Sequence, residues 1–265
     1  MKYFLFIGLV LFLSCESNTQ KIQLVNSNDT LNIEKFDTTL QTQKDIYYWT
    51  GNINSNIPVF IWAILKDSLI HGEVIYSKTK NPAPIKLLGS INKDGEIKVC
   101  EYQKDGKITG VFVFEKLNTT SEGIWVSTKN DKEYKFQLNA LDTLLRNIDT
   151  SFQSSNLTGI YLYAYGDKGY QGEITVTEIQ KGKIAFSISA VTRAPGRNIA
   201  QVETDTVLVS NNEFIYKIPD SDSCIFKVKF FKDFVFIDYV KDYGDCGGVF
   251  GMNAGVDGIF YRTTK

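Results

Sequence analysis

The sequence predicts an all-β protein of antiparallel sheet, and three features of its pattern support that prediction. Short runs rich in Val, Ile, Phe, Tyr and Thr follow one another from about residue 45 to the end of the chain. Lys-Asp-Gly turns at 93–95 and 104–106 separate some of them, and such turns accept the positive φ angles of tight hairpins. Strict alternation places Tyr134, Phe136 and Leu138 on one face of a strand. Short strands joined by tight turns are typical of an antiparallel sandwich or barrel.

The composition excludes general disorder and argues against a nucleic-acid partner. The 265 residues are 43% hydrophobic and 22% charged, which is enough apolar material for one or two globular cores. The 29 basic and 30 acidic residues nearly cancel, whereas a nucleic-acid-binding protein normally carries a basic excess or stripe. We therefore expect no nucleic-acid partner.

Residues 1–14 are typical of a lipoprotein signal peptide. Lys2 supplies a positive charge, and the apolar run that follows extends to Leu13. A bilayer span needs about 20 apolar residues, so this run has instead the length of a secretory signal core. The ending Ser14-Cys15 resembles a bacterial lipobox, whose cysteine is acylated and becomes the new N-terminus; the alternative is an ordinary signal peptide with a chance cysteine. We expect Cys15 to anchor the chain to a membrane of the bacterial cell envelope, facing the periplasm or at the cell surface.

The segment behind the cysteine, residues 15–44, is predicted to be a flexible tether. It is rich in Ser, Asn, Thr, Gln and Asp and shows no sustained hydrophobic period. Thr30 and Thr38 each follow an aspartate there, and these pairs resemble an O-glycosylation sequon that one broad lineage of Gram-negative bacteria uses on exported proteins. The alternative is an unmodified linker in which so short a motif occurs by chance.

The remaining chain is predicted to form two antiparallel β modules joined by a short helix. The first module covers residues 45–139 and the second covers residues 156–265, for which the pattern predicts about eight strands. Eight strands are enough to close a small up-and-down barrel and so remove its exposed edges. The linker of residues 140–155 has a helical period, with apolar side chains at Leu141, Leu144, Leu145, Ile148 and Phe152.

The chain has three further cysteines, Cys100, Cys224 and Cys246; if Cys15 carries lipid, we expect them in an oxidising compartment that permits disulfides. Cys224 begins an apolar strand and Cys246 lies beyond the following strand, so a bridge between them would pin a strand pair. It would close a loop of about 23 residues and contribute about 3.4 kcal/mol in the chain-entropy description. We predict this disulfide and a free Cys100, which is disfavoured as a nucleophile because His71 is the only histidine.

Residues suited to catalysis or to metal binding are scarce. A single histidine leaves almost no room for a Ser-His-Asp arrangement or a zinc site. The Gly-x-Ser-x-Gly and phosphate-loop patterns are absent, and the acidic stretches at 220–222 and 242–245 lack the spacing of a calcium loop. We therefore expect no enzymatic activity, no metal and no cofactor.

A run of alternating tyrosines is the main candidate for ligand binding. Tyr161, Tyr163 and Tyr165 lie on one face of a predicted strand, and Tyr170 follows the next turn. Such a ladder can bind sugars or peptides because each ring has an apolar face and a polar tip. More often, a ladder of this kind lines or covers a core.

Several C-terminal motifs resemble a recurrent module of uncharacterised bacterial envelope lipoproteins. These motifs are Gly-Arg-Asn-Ile-Ala at 196–200, the strand that begins at Cys224, Asp-Cys-Gly-Gly at 245–248, and Gly-Val-Asp-Gly-Ile-Phe-Tyr at 255–261. A fainter, architectural similarity links the chain to small disulfide-bonded β-barrel lysozyme inhibitors of the envelope. These motifs identify a module and not a chemistry. From the whole sequence we expect a lipid-anchored envelope protein that binds a protein or glycan; the alternative is an inhibitor of a hydrolase such as lysozyme.

We predict that replacing Cys15 by Ala abolishes lipidation, because acylation takes place on the cysteine thiol. Metabolic labelling with a fatty-acid analogue should mark the wild-type chain and leave Cys15→Ala unlabelled. Equal labelling of the two chains would contradict the assignment of residues 1–14 as a lipoprotein signal peptide.

Overall fold

The structure is a computed structural model that describes residues 46–117, 119–142, 154–221, 223–241 and 246–263. These ranges contain 16 β-strands and no α-helix, which confirms the all-β prediction. None of the described residues belongs to a helix long and apolar enough to cross a membrane. The strands are β1 (Ile46–Ile53), β2 (Ile57–Lys66), β3 (Leu69–Tyr76), β4 (Ile85–Ile91), β5 (Ile97–Tyr102), β6 (Lys107–Phe114), β7 (Thr120–Ser127), β8 (Glu133–Ala140), β9 (Gly159–Tyr165), β10 (Gln171–Gln180), β11 (Lys183–Val191), β12 (Ile199–Leu208), β13 (Glu213–Lys217), β14 (Ile225–Phe230), β15 (Phe234–Tyr239) and β16 (Gly258–Arg262).

Strands β1 to β8 form a closed antiparallel barrel. Each strand pairs with the next one in sequence, and β8 returns to pair with β1, from Trp49 opposite Ala140 to Ile53 opposite Phe136. Closure leaves none of these strands as a free sheet edge. The sequence had indicated such closure for the second half of the chain, and the structure places it in the first half.

Strands β9 to β16 form a second antiparallel array, in the order β12-β11-β10-β9-β16-β15-β14-β13. These are the eight strands that the sequence predicted for residues 156–265. The two ends of this array, β12 and β13, are consecutive in sequence and do not pair as strands; an isolated bridge links Ser210 to Glu213 in the turn between them, and the Tyr216 hydroxyl donates a 2.8 Å hydrogen bond to Asp205. The array therefore has as many strands as a small barrel, but among the described residues its first and last strands, β12 and β13, do not pair to close it.

The two sets of strands belong to one sheet and one compact unit. A short parallel pairing of β6 with β9 sets Lys107 opposite Ala164 and Ile108 opposite Tyr165, and residues 42–265 form a single contact unit. The division of this unit into two modules stays a prediction. The helix predicted within 140–155 falls mostly on residues outside the described ranges.

The N-terminal predictions also fall outside the described residues. These are the signal peptide, the acylated Cys15, the tether of residues 15–44, and the candidate glycosylation sites Thr30 and Thr38. They stay predictions of the sequence.

Alternate side chains of the barrel strands point inward and fill the lumen. The core is mainly apolar, and rings from adjacent strands interlock in it; Phe136 makes edge-to-face contacts with Phe112 and Phe114. The buried members are Trp49, Ile53, Val59, Ile61, Ala63, Ile70, Val74, Leu87, Ile97, Val99, Phe112, Phe114, Phe136 and Leu138.

The outward side chains of β1 to β6 belong to a second and larger core, which they share with β9 to β16. Tyr48, Trp62, Leu88 and Tyr102 are buried in it together with side chains from the second array. The Tyr102 hydroxyl donates a 2.7 Å hydrogen bond to the Ile259 carbonyl. The outer face of the barrel along β1 to β6 therefore packs against the second array of strands.

The predicted disulfide is present, and Cys100 is not part of it. Cys224 and Cys246 form a disulfide across a separation of 22 residues, and the bridge links the two segments that flank the β14–β15 hairpin. Cys100 is free and buried. Its Sγ lies 3.3 Å from the Tyr165 hydroxyl, at the contact between the two strand sets.

Gly106 marks a point of close approach between the two strand sets. It has a φ of +82°, and a Cβ there would lie 2.5 Å from the Cβ of Leu162 in β9. Its carbonyl accepts a 3.2 Å hydrogen bond from the Ala164 N–H. Gly95 has a similar φ of +85° in a turn where a Cβ would meet nothing within 4 Å.

We predict that Gly106→Ala destabilises the protein more than Gly95→Ala. Both substitutions incur about 1–2 kcal/mol for a left-handed alanine, and Gly106→Ala adds about 1–3 kcal/mol of steric overlap with β9. Urea unfolding of both variants measures the difference. Equal losses in the free energy of unfolding would show that Gly106 and β9 do not approach closely enough for an added methyl group to clash.

Candidate functional site

A concavity of about 400 Å³ opens at one end of the closed barrel. This end carries the β1–β2, β3–β4, β5–β6 and β7–β8 turns. We call the concavity the barrel mouth. Its lining side chains are all uncharged: Asn54, Asn56, Ile57, Trp125, Ser127, Asn130 and Tyr134.

The lumen beneath the mouth is filled and cannot hold a ligand. Its remaining cavity measures about 20 Å³ and is lined by apolar side chains. That volume is close to the minimum for one water molecule, and an apolar cavity of this kind stays dry. Any ligand of this barrel end must therefore bind at the mouth itself.

Trp125 and Tyr134 form the aromatic part of the mouth. They lie directly opposite each other on β7 and β8, with ring centroids 5.9 Å apart and planes tilted by 38°. Both side chains point inward and are half-buried. This placement confirms the predicted face of Tyr134, Phe136 and Leu138, because the latter two are buried in the lumen.

A buried carboxylate lies just below these rings. The Glu101 side chain is 2% exposed; it follows Ile97 and Val99 on the inward face of β5. Its Oε1 accepts hydrogen bonds from the Trp125 indole N–H, at 3.1 Å, and from the Tyr76 hydroxyl. Its Oε2 accepts a 3.1 Å bond from the Thr109 hydroxyl.

Local backbone geometry brings these donors to Glu101. The register of β5 with β6 shifts at this point, since Glu101 pairs with Gly110 and Tyr102 pairs with Ile108. Thr109 is the extra residue of this bulge, and bulges commonly re-aim a side chain. Gly110 leaves space for the indole, because a Cβ there would lie 2.4 Å from Trp125 Nε1.

Burial outweighs hydrogen bonding in its effect on the pKa of Glu101, and it keeps Tyr76 as a protonated donor. Burial raises the pKa of Glu101, while its hydrogen bonds from Tyr76, Trp125 and Thr109 favour the charged form. Burial, and then the neighbouring Glu101 charge, raise the pKa of Tyr76 far above its ordinary value of 10.0. With both oxygens occupied by donors, Glu101 acts as a positioning residue that fixes the Trp125 ring.

The tyrosine ladder does not line the mouth, and most of it lies in the core. Tyr161 is 0% exposed and Tyr163 is buried, and the Tyr161 hydroxyl donates to the Leu157 carbonyl at 2.9 Å. Tyr165 contacts Cys100. Tyr170 is 44% exposed, so it is the ladder residue most accessible to a ligand. The core interpretation thus describes the first three tyrosines, and ligand binding by the ladder stays a prediction.

The sequence analysis did not identify Glu101, Trp125 or Thr109 as site residues. One signal was available in the sequence, since an acidic residue stands where the alternation of Ile97 and Val99 places an inward side chain. The described residues contain no group of three or more His, Cys, Asp and Glu side chains that could hold a metal ion.

Comparison with known proteins yields no family for this chain. No protein-family model matches the sequence, and no curated protein matches it. The barrel mouth is therefore interpreted from its own geometry.

We predict a large loss of stability for Glu101→Ala and a much smaller change for Glu101→Gln. Glu101→Ala leaves the donors of Tyr76, Thr109 and Trp125 without their acceptor and should lower the free energy of unfolding by about 3 kcal/mol. Glu101→Gln keeps a carbonyl acceptor for Tyr76 and Trp125, and its amide can donate to the Thr109 hydroxyl.

The Gln variant should also differ from the wild type in pH dependence. Because the pKa of Glu101 is raised above its ordinary 4.5, the folded chain binds this proton more tightly than the unfolded chain does. Wild-type stability therefore falls, relative to Glu101→Gln, as the pH rises from about 4.5 through the raised pKa. Urea unfolding of both chains at about pH 4 and about pH 8 measures this; a pH-independent difference would contradict the burial of a titrating carboxyl.

Proposed function

We propose that this chain is a lipid-anchored protein of the bacterial cell envelope that binds a protein or glycan ligand at the barrel mouth. The observation that carries the proposal is the arrangement of Trp125 and Tyr134 at the mouth, with Trp125 held from below by Glu101. Buried hydrogen bonds that fix an aromatic side chain at an opening preorganise it for contact with a ligand.

The chemistry of the mouth favours binding over catalysis. Its lining side chains supply amides, hydroxyls and ring faces, and none is a carboxylate, imidazole or thiol. Glycoside hydrolysis normally uses a pair of carboxylates that flank the scissile bond, whereas Glu101 lies beneath the rings and is bound by three donors. A pocket with apolar walls and a few polar groups is the usual form of a binding site.

The N-terminal anchor gives this binding activity its location. Acylation at Cys15 would hold the chain at a membrane, and the polar segment of residues 15–44 would let the folded unit reach away from the lipid headgroups. This part of the proposal rests on the sequence alone.

Inhibition of a hydrolase such as lysozyme is the second candidate, and an exposed loop favours it. Met252 is 77% exposed in the segment between Cys246 and β16. Asn198 Nδ2 donates a 2.7 Å hydrogen bond to the Met252 carbonyl, and the Gly251 N–H donates to Ile199. A protruding loop held in this way suits insertion into a cleft. A lysozyme-activity assay with the purified chain tests it, and undiminished activity at a molar excess would reject it.

The binding proposal predicts that a ligand cross-links to the mouth in cell envelopes. A diazirine amino acid at position 56 should give a product of higher mass on irradiation, because Asn56 lines the mouth. The matched control is position 208, since Leu208 is 75% exposed but lies on β12. Equal products from both positions, or none from position 56, would contradict ligand binding at the mouth.

A further inference from the structure

The ligand class follows from the side chains at the barrel mouth, if the chain is a binding protein as proposed above. The mouth combines a cross-strand pair of rings with three asparagines and a serine, and none of its seven lining side chains carries a charge. A ligand that matches it is neutral, has apolar faces and carries groups that both donate and accept hydrogen bonds. The volume of about 400 Å³ is within the usual range for small-ligand sites.

We infer that the barrel mouth is a carbohydrate-binding site in which a neutral sugar ring packs against Trp125 and Tyr134. A pyranose presents C–H groups on its faces and hydroxyls around its rim, so it can cover an aromatic face and still reach amides beside it. The amides of Asn54 and Asn56 each offer a donor and an acceptor to such hydroxyls, and Asn130, whose Oδ1 accepts a 3.2 Å hydrogen bond from the Lys132 N–H, offers its amide donor.

The orientation of Trp125 supports a stacking role. Its indole N–H points to Glu101 and is already used there, so the ring meets a ligand through its carbon framework. Tyr134, directly opposite on β8, adds a second ring with a hydroxyl. The sequence neighbour Ile124 points to the outer face of the barrel and is 41% exposed, which makes it a matched control position.

Glu101 and Gly110 hold Trp125 in this orientation from two sides. Glu101 accepts its N–H, and Gly110 provides the space for the indole edge that carries Nε1. Both lie on strands other than β7, so they set the ring position through the barrel and do not line the mouth. They are positioning residues for the sugar site.

Binding can be read from Trp125 fluorescence. The chain has three tryptophans, and Trp49 and Trp62 are 2% and 5% exposed, so quenching by a bound ligand reports mainly on Trp125. The purified full chain is titrated with chitotetraose, cellotetraose, maltotetraose and mannotetraose, and calorimetry gives the affinity of each variant.

At least one of these tetrasaccharides should bind, and Trp125→Ala should weaken that binding at least about tenfold, as expected for truncation of an aromatic anchor. Asn56→Ala should also weaken it, and this exposed position leaves the test valid if the Trp125 variant fails to fold. Ile124→Ala should bind like the wild type. Glu101→Ala should weaken binding and Glu101→Gln should restore it, because only the latter still accepts the indole N–H.

Two results would overturn the inference. One is that none of the four tetrasaccharides binds; the other is that binding is the same in Trp125→Ala and Asn56→Ala as in the wild type. The cross-linking experiment at position 56 then separates the two proposals. A cross-linked protein there would leave the binding function in place with a protein ligand, whereas no cross-link would remove the binding function as well.

Discussion

The wall that β1 to β6 form carries buried side chains on both of its faces, and the other features of the structure depend on this constraint. Leu87 and Leu88 are neighbours in β4 and are 2% and 0% exposed, yet they belong to different cores. Each such side chain contributes roughly 1.5–3 kcal/mol when it is fully buried. The same strands thus stabilise the closed barrel and its contact with the second array.

Burial on both sides leaves few places for a ligand. The lumen is filled, and most of the outer wall is covered by β9 to β16. The outward faces of β7 and β8 remain in contact with solvent, where Ile124, Lys135 and Gln137 are exposed. The turns and inward residues at the barrel ends are therefore the surfaces that can form a concave site, and Trp125 and Tyr134 lie at such an end.

Glu101 illustrates how hydrogen bonds can accommodate a buried carboxyl group at this position. An isolated carboxylate in a protein interior costs much free energy, but hydrogen bonds from several donors offset part of that cost. Here Tyr76, Thr109 and Trp125 supply the donors from three different strands. The geometry that accommodates the carboxyl group also fixes the indole at the mouth, so Glu101 couples the stability of the fold to the position of the Trp125 ring.

The sequence alone determined the features that local pattern records. Alternation in β8 is visible in the sequence because Lys135 and Gln137 face water while Phe136 and Leu138 face the core. The strands of residues 156–265 and the Cys224–Cys246 disulfide could also be predicted from the sequence. Only the tertiary structure decided that β8 closes onto β1, that Tyr161 is a core residue, and that β3, β5, β6 and β7 bring donors to Glu101. Where both faces of a strand are buried, hydrophobic periodicity no longer distinguishes inward from outward side chains. Strand closure and side-chain clustering then depend on contacts between residues far apart in the chain, which no local pattern specifies.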